Sequence, residues 1–334
     1  MSQAGPHGGG SSGPLLDPNF LIIEDPDRLP PSLGRPVVAI GNFDGVHRGH
    51  RAVIGRAQAR AKALGRPCAV LTFEPHPANY FAGSPVIFRL TTESTKAMAL
   101  ARLGLDGMVV LTFDDGLAQL DRERFVRDIL VGRLDISAAV IGYDFHFGRN
   151  RAGSPEYLRA CGQELGFDVD VIEKITADRE GDLAAVSSTA IRRALEGGDA
   201  RLAAKLLGHP YFVVGTVVHG QKLGRTLGYP TANLELDPHS RLRHGIYAVR
   251  VRGDGLNKGG VASFGRRPTF DNGAPLLEVV LFDFSGDLYG RTIEVDLIDW
   301  IRGEEKFASV EDLIARMNID AAEARAMLAG SGEG

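Results

Sequence analysis

The sequence predicts an α/β protein in two parts: an N-terminal doubly wound parallel sheet followed by a C-terminal antiparallel β-barrel. Three observations predict it. Short apolar runs alternate with helical patterns through the first two-thirds of the 334 residues, which implies a parallel sheet with helices on both faces. The alternation stops at Gly208-His209-Pro210, where Gly and Pro mark a break. Beyond that point β-branched runs recur at the spacing of an antiparallel barrel.

The elements follow in order. Val37–Ile40 reads as a strand, and His50–Leu64 as a helix with Val53, Ile54, Ala57, Ala61 and Leu64 on one face. Ala69–Phe73 is the next strand, followed by a helix over Glu93–Leu103 capped by Thr92. Strands at Gly107–Leu111, Ala138–Ile141 and Asp168–Ile172 alternate with helices at Arg122–Val131 (capped by Asp121) and Pro155–Leu165. Two short helices, Thr189–Leu195 and Ala200–Leu207, close the first part. The barrel strands are Tyr211–Val218, Gly245–Val251, Gly259–Phe264, Leu276–Phe282 and Thr292–Trp300, with a last helix over Val310–Met317. Residues 1–20, rich in Gly, Ser and Pro near the start, read as a flexible tail without the basic, apolar character of a signal peptide. Residues 21–207 and 208–330 are then the two domains.

Composition narrows the function classes. Apolar residues make up 44% and charged residues 24%, ordinary for a globular chain. A net charge of −4 argues against broad nucleic-acid binding. No apolar run of ~18 residues exists, so no membrane span is expected. Cys68 and Cys161 form no C-x-x-C, which disfavours a disulfide framework or zinc site and suits a reducing cytoplasm. Cys68, in an apolar run, reads as a buried thiol. Oligomeric state is left open.

The first chemical constellation is Gly41-Asn42-Phe43-Asp44-Gly45-Val46-His47-Arg48-Gly49-His50, between a strand and a helix. A helix N-terminus offers unpaired N–H groups and a partial positive charge, and the glycines let an anion approach the backbone. His47 and His50, three apart, project from one face of the first turn and suit a phosphate whose charge grows during displacement. A glycine-rich turn with two surface histidines is the plain alternative; the strand–loop–helix context favours phosphate. A second helix start, Ser187-Ser188-Thr189-Ala190-Ile191-Arg192, places three hydroxyls and a guanidinium where they would clamp outer phosphates. Alone it is a weak signal, because Ser and Thr are common caps with no catalytic role.

The second constellation is the basic, glycine-spaced loop carrying Gly220, Lys222, Gly224 and Arg225, followed by Gly228-Tyr229-Pro230-Thr231-Ala232-Asn233. Lys222 and Arg225 would cover polyphosphate. Thr231 and Asn233 alternate by two and share one face of an extended segment, as hard oxygen ligands for Mg²⁺. A basic hairpin loop with a Pro turn fits the same residues. Glu278 is the one carboxylate in Leu277-Glu278-Val279-Val280-Leu281; it reads as a proton acceptor or as an exposed strand Glu. Asp283 and Asp287 read as turn formers, and Trp300 as core.

The His47/His50 pair taken with Ser188-Thr189-Ala190-Ile191-Arg192 resembles the nucleotidyltransferase superfamily. With Thr72-Phe73-Glu74-Pro75-His76-Pro77 and Gly142-Tyr143-Asp144-Phe145-His146-Phe147-Gly148 it resembles the FAD-synthetase domain of prokaryotic bifunctional riboflavin kinase/FAD synthetases over about 37–207. Residues 208–320 resemble the riboflavin-kinase domain, through Pro230-Thr231-Ala232-Asn233, Gly245-Ile246-Tyr247, Gly265-Arg266-Arg267-Pro268-Thr269-Phe270, Asp287-Leu288-Tyr289-Gly290 and Ile301-Arg302-Gly303-Glu304. The resemblance implies a Rossmann-like nucleotidyltransferase sheet and a riboflavin-kinase barrel, acting on riboflavin, FMN and ATP with Mg²⁺. It implies that His47 and His50 stabilise the α-phosphate in flight and that Ser188 and Arg192 hold the departing pyrophosphate. Gly41, Asn42, Phe43, Asp44, Gly45, Ser187 and Thr189 would complete that ATP site, and Asp144, Phe145 and His76 would face FMN; His76 and His146 also read as packed or solvent-facing histidines. In the barrel, Thr231 and Asn233 would hold Mg²⁺ and ATP, Glu278 would be the kinase base, and Arg302 would line the flavin pocket. The sequence departs from some relatives at Ala185, where they carry a basic residue; that leaves more of the anion charge to Arg192. Another adenylyl acceptor, or a flavin-binding regulator without turnover, is the competing reading. The kinase-like half argues against the first and Glu278 against the second.

Overall fold

The computed structural model describes residues 16–173, 186–219, 231–253, 255–266 and 275–330. Its first sheet is parallel throughout. The strands are β1 (Leu21–Glu24), β2 (Val37–Ile40), β3 (Cys68–Glu74), β4 (Gly107–Thr112), β5 (Ala138–Gly142) and β6 (Asp168–Ile172), in the order β1-β4-β3-β2-β5-β6. Burial on both faces explains why the central strands β2, β3, β4 and β5 read as apolar runs, whereas the edge strands β1 and β6 are only partly buried. Val37, Ala39, Val70, Met108 and Val140 meet Val53, Ile54 and Ala57 of helix α1 (Arg48–Leu64) on one side. Val38, Ile40, Leu71, Val109 and Ile141 meet Phe125, Ile129, Leu130 and Leu158 on the other.

The remaining helices are α2 (Pro77–Ala82), α3 (Glu93–Ala101), α4 (Asp115–Ala118), α5 (Arg122–Arg124), α6 (Pro155–Leu165), α7 (Ser188–Gly197) and α8 (Ala200–Leu207). The expected helix over 122–131 is instead α5 running into a π-helical stretch, Phe125–Arg133. Strand β1 and helix α2 were not anticipated; β1 is a half-exposed edge strand and α2 buries no residue, so neither carries the apolar signature of a core element. Strand order reverses at β2, which lies between β3 and β5. In such sheets the ligand crevice opens beyond the carboxyl ends of the strands at that switch point. The loops after β2 and β5, which hold the 41–50 and 142–148 motifs, leave from that end.

The second sheet is antiparallel, with strands β7 (Tyr211–Thr216), β8 (Thr231–Glu235), β9 (Gly245–Gly253), β10 (Leu256–Arg266), β11 (Pro275–Leu281) and β12 (Thr292–Arg302) in the order β7-β12-β9-β10-β11-β8. It curls so that Val218, just past β7, bridges Asn233 of β8 and brings the two edges together. Helix α9 (Val310–Gly330) packs on β9, β10 and β12. It runs on well beyond the expected Met317, because its second half is rich in Ala and charge and buries only Asp320 and Ala324. Ala there supplies helix propensity without an apolar stripe.

The inside of the barrel does not form a closed core of its own. Ile191, Ala194 and Leu195 of α7 and Leu206 and Leu207 of α8 pack with Tyr211, Tyr247, Val249 and Leu297. A second contact lies on the outer face of β12. There the Arg102 guanidinium makes two hydrogen bonds to Glu294, which is fully buried, and sits 5.3 Å from the Phe212 ring. Asp296, two residues on and also buried, faces Arg252 Nη2 at 2.8 Å.

Burial pushes the Asp296 carboxyl up to about 6; Arg252 opposes the shift and Glu294 adds to it. A carboxyl raised in the folded state binds a proton that the unfolded chain releases, so its contribution to stability is lost as pH rises from about 4 through 6. Asp296→Asn should flatten that loss. Urea unfolding should show the wild-type protein losing about 1–2 kcal/mol more than the variant between those pH values. Equal slopes for the two proteins would contradict this account.

Candidate active sites

A cleft of about 1100 Å³ opens at the switch point of the parallel sheet. Its walls bring together Gly41, Asn42, Phe43, Asp44, His47, His50, His76, Asp144, Phe145, Ser187, Ser188, Thr189 and Arg192, which lie far apart in sequence. Gly45 is the exception. It takes φ +85° and turns inward, where a Cβ would come within 2.8 Å of Leu90, so it shapes the loop and does not line the cleft.

His47 is the N-cap of α1, and its Nδ1 accepts a hydrogen bond from the His50 amide at 3.2 Å. An accepting Nδ1 leaves the proton of a neutral ring on Nε2. Burial pushes His47 down to about 4, against the pull of Asp44. His50 is lowered too, by burial first and then by His47 and Lys96. The two rings stack with centroids 3.6 Å apart, an arrangement suited to two neutral imidazoles. The buried His50 Nδ1 has no protein partner.

Asp44 lines the cleft and also ties its loop to neighbouring segments. Its buried carboxylate accepts from the amides of Leu90 and Thr91 and from Arg192. Ser188 donates to the Asp44 carbonyl at 3.0 Å, and Arg192 Nε donates to the Phe88 carbonyl. The second helix start is thereby tied directly onto the first loop. Ser187 caps α7 by accepting from the Ala190 amide. His76 caps α2 in the same way, with its Nδ1 accepting from Ala78, and burial lowers its pKa. Asp144 is exposed and Phe145 half-buried, stacked on Phe147.

Sequence reasoning missed the aromatic wall of this cleft. Phe81 is 69% exposed and meets Phe113 edge-on, with Tyr80 packed against both; Tyr143 is 48% exposed. Exposed rings beside a cleft mark a place for a flat apolar partner. A signal existed: Tyr80-Phe81 sits just past the 72–77 motif. Also missed was a buried charge cluster in which Glu74 bridges Arg89 and Lys96.

The barrel carries a separate row of side chains. Asn233 of β8, Glu278 of β11, Ser263 of β10, Ile246 of β9 and Arg302 of β12 are successive cross-strand partners, so they share one face. Asn233 is buried, and its Oδ1 has no hydrogen-bond partner. Thr231 lies two residues before it on the same face. An unmet, buried, hard oxygen beside a threonine hydroxyl fits a hard cation such as Mg²⁺. Glu278 is half-buried, between core residues Leu277 and Val279. Arg302 pairs with Asp320 of α9 at 2.8 and 2.6 Å and donates to the Gly303 carbonyl, an anchoring duty the sequence did not signal. Asp287 accepts from the Tyr289 amide in a turn, and Asp283 pairs with Arg325. Trp300 packs against the barrel core under the Arg243 guanidinium. Gly220, Lys222, Gly224, Arg225 and Ala185 lie outside the described residues.

A nucleotide cleft at the switch point of a parallel sheet, and a second polar row on a separate antiparallel barrel, define a two-site transferase. Comparison with known proteins agrees with both halves. Residues 30–190 match the FAD synthetase family and residues 207–328 the riboflavin kinase family. The chain is 43% identical to the bifunctional riboflavin kinase/FMN adenylyltransferase of Pseudomonas fluorescens, over 88% of this chain and 94% of that one. It is 42% identical to the enzyme of the same name from Escherichia coli K12, over 86% and 91%. A crystal structure described as a macrolide-efflux protein from Streptococcus pneumoniae superposes with a TM-score of 0.79 at 31% identity, covering 92% of this chain and 99% of that one. No helix among the described residues is long and apolar enough to cross a membrane. The chain belongs to the bifunctional riboflavin kinase/FMN adenylyltransferase family.

Proposed function

We propose that the two sites act in sequence, with the domains dividing near 207/208. In the barrel, the ribityl 5′-hydroxyl of riboflavin attacks the γ-phosphorus of ATP, giving FMN and ADP. In the parallel-sheet domain, a phosphate oxygen of FMN attacks the α-phosphorus of a second ATP, giving FAD and pyrophosphate. The observation that carries this reading is the presence of two chemically different sites on two different sheets. One has a neutral imidazole pair and a helix N-terminus; the other has a carboxylate beside an unmet hard oxygen.

That geometry supports the following residue roles. His47 donates from Nε2 to the α-phosphate, where negative charge grows in the transition state, and His50 supports it from the stacked position. Both rings are neutral, so they stabilise by hydrogen bonding and add no fixed charge. The first-turn amides of α1 and α7, with Ser188, Thr189 and Arg192, hold the β- and γ-phosphates. The isoalloxazine of FMN lies on the wall of Phe81, Phe113 and Tyr143, with Asp144, Phe145 and His76 at its margin. In the barrel, Glu278 accepts the 5′-hydroxyl proton. Thr231 and Asn233 would hold Mg²⁺, which when bound neutralises polyphosphate charge. Arg302, anchored by Asp320, borders riboflavin on the same face as Glu278, and Lys222 and Arg225 cover the nucleotide. The free cysteines, one of them buried, accord with a cytoplasmic setting.

The direct test is chromatography of products after incubation with riboflavin, ATP and Mg²⁺. FMN should appear first and FAD after it. ADP without FMN, or FMN without FAD, would remove one half of the reading.

A further inference from the structure

The loop that presents the imidazole pair is held in an unfavourable shape. Phe43 and Val46 both lie at positive φ, 50° and 43°, and for a β-branched residue such as Val46 that is a true outlier. Strain of this kind persists only where surrounding contacts over-determine the backbone. His47 follows Val46 directly, so relaxation of the loop would move both imidazoles relative to the cleft.

Three clamps hold the loop. Asp44 grips the amides of Leu90 and Thr91, and the Gly45 amide donates to the Thr91 hydroxyl at 3.1 Å. The third clamp lies behind the cleft wall. The Thr72 hydroxyl donates to the Asn42 carbonyl at 3.1 Å, and behind it lies Lys96 Nζ, 3.2 Å from the same hydroxyl oxygen. Lys96 is 1% exposed, and its ammonium also donates to Glu74 at 2.8 Å. Glu74 is held in turn by both terminal nitrogens of Arg89, each at 2.6 Å.

The polarity of this chain is fixed by chemistry. An ammonium only donates, so it takes a lone pair of the Thr72 oxygen and directs the hydroxyl proton to Asn42. A lysine on the buried side of a short helix thereby sets the direction of a hydrogen bond that restrains the phosphate loop. Burying that charge is costly unless it is paired, and the Glu74–Arg89 pair supplies the partner.

We propose that Lys96 is a positioning residue for adenylyl transfer: acting through the Thr72 hydroxyl, it holds the Asn42 carbonyl and so the placement of His47 and His50. This rests on the adenylyltransferase reading above, which the wild-type protein tests separately by making FAD or failing to.

The decisive variants are Thr72→Val, Thr72→Ser and Lys96→Met in the full chain, each assayed for both half-reactions. The kinase site lies on the other sheet, so FMN formation by the same sample reports folded protein. Thr72→Val should lower kcat for FAD formation on the order of 10–100-fold, as a misplaced catalytic pair does, with a smaller change in KM for FMN. Thr72→Ser should restore kcat to within about threefold. Lys96→Met should lower kcat similarly, and the two losses should fail to multiply in the double variant, because both act on one hydrogen bond. A merely structural role would lower FMN and FAD formation together. Unchanged kcat in Thr72→Val, no rescue by serine, or fully multiplying losses would each overturn the proposal. If Lys96→Met does not fold, the valine–serine pair decides alone.

Discussion

Glu278→Ala should lower FMN formation by about 10²–10⁴-fold while FAD formation from supplied FMN continues. The size of the effect follows from the role. A 5′-hydroxyl is a weak nucleophile, and the Glu278 carboxylate is the group on the Asn233 row able to take its proton. The selectivity follows from the fold. Glu278 sits on β11 of the barrel, whereas the adenylylation cleft lies at the end of the parallel sheet, so removing this carboxylate leaves the imidazole pair in place. Rates should be measured separately, FMN formation from riboflavin and FAD formation from FMN. A joint loss of both activities, or an undiminished kinase, would show that the base lies elsewhere.

His47→Ala and His50→Ala should do the converse, lowering FAD formation by about 10²–10³-fold each with FMN formation retained. The alanine at 47 also removes the α1 cap, a loss of about 1 kcal/mol that the kinase activity of the same sample would reveal as general destabilisation. The charge state of the pair adds a second readout. Burial lowers both imidazoles, His47 to about 4, so they keep their neutral form until pH falls toward that value. The pH dependence of kcat for FAD formation should therefore show no histidine-like fall near pH ~6.5. An acid limb at that pH, abolished in His47→Ala, would mean that the protonated ring is the one that must be avoided and that burial does not protect it. Full FAD formation in both variants would take the pair out of the mechanism.

Much of both sites was legible because the motifs are local. Strand β2, the turn at Gly41–Gly49 and helix α1 are contiguous, so the strand-to-helix transition and its two histidines could be read together. The runs between 211 and 302 announced an antiparallel sheet because β-branched residues recur there at short, regular spacing. Strand β1 and helix α2 escaped for the opposite reason: β1 lies half-exposed at the sheet edge and α2 buries no residue, so neither shows a core pattern. Phe81 and Phe113 escaped because an aromatic at the surface gains meaning only from what lies beside it, and the exposed Phe81 and half-buried Phe113 come from segments on either side of β4.

The sequence by itself determined the alternation of strands and helices, the change of architecture near residue 208 and the residue types available for chemistry, since propensity, periodicity and spacing all act over a few neighbours. Tertiary structure alone decided what those residues do. Asp44 became a clamp on Leu90, Thr91 and Arg192, Arg302 an anchor for α9, and Lys96 a buried charge behind the phosphate loop. Each of these outcomes depends on partners 18 to 148 positions away. Such pairings are set by burial and by the need to satisfy every buried polar group, and neither is written in the local order of the chain.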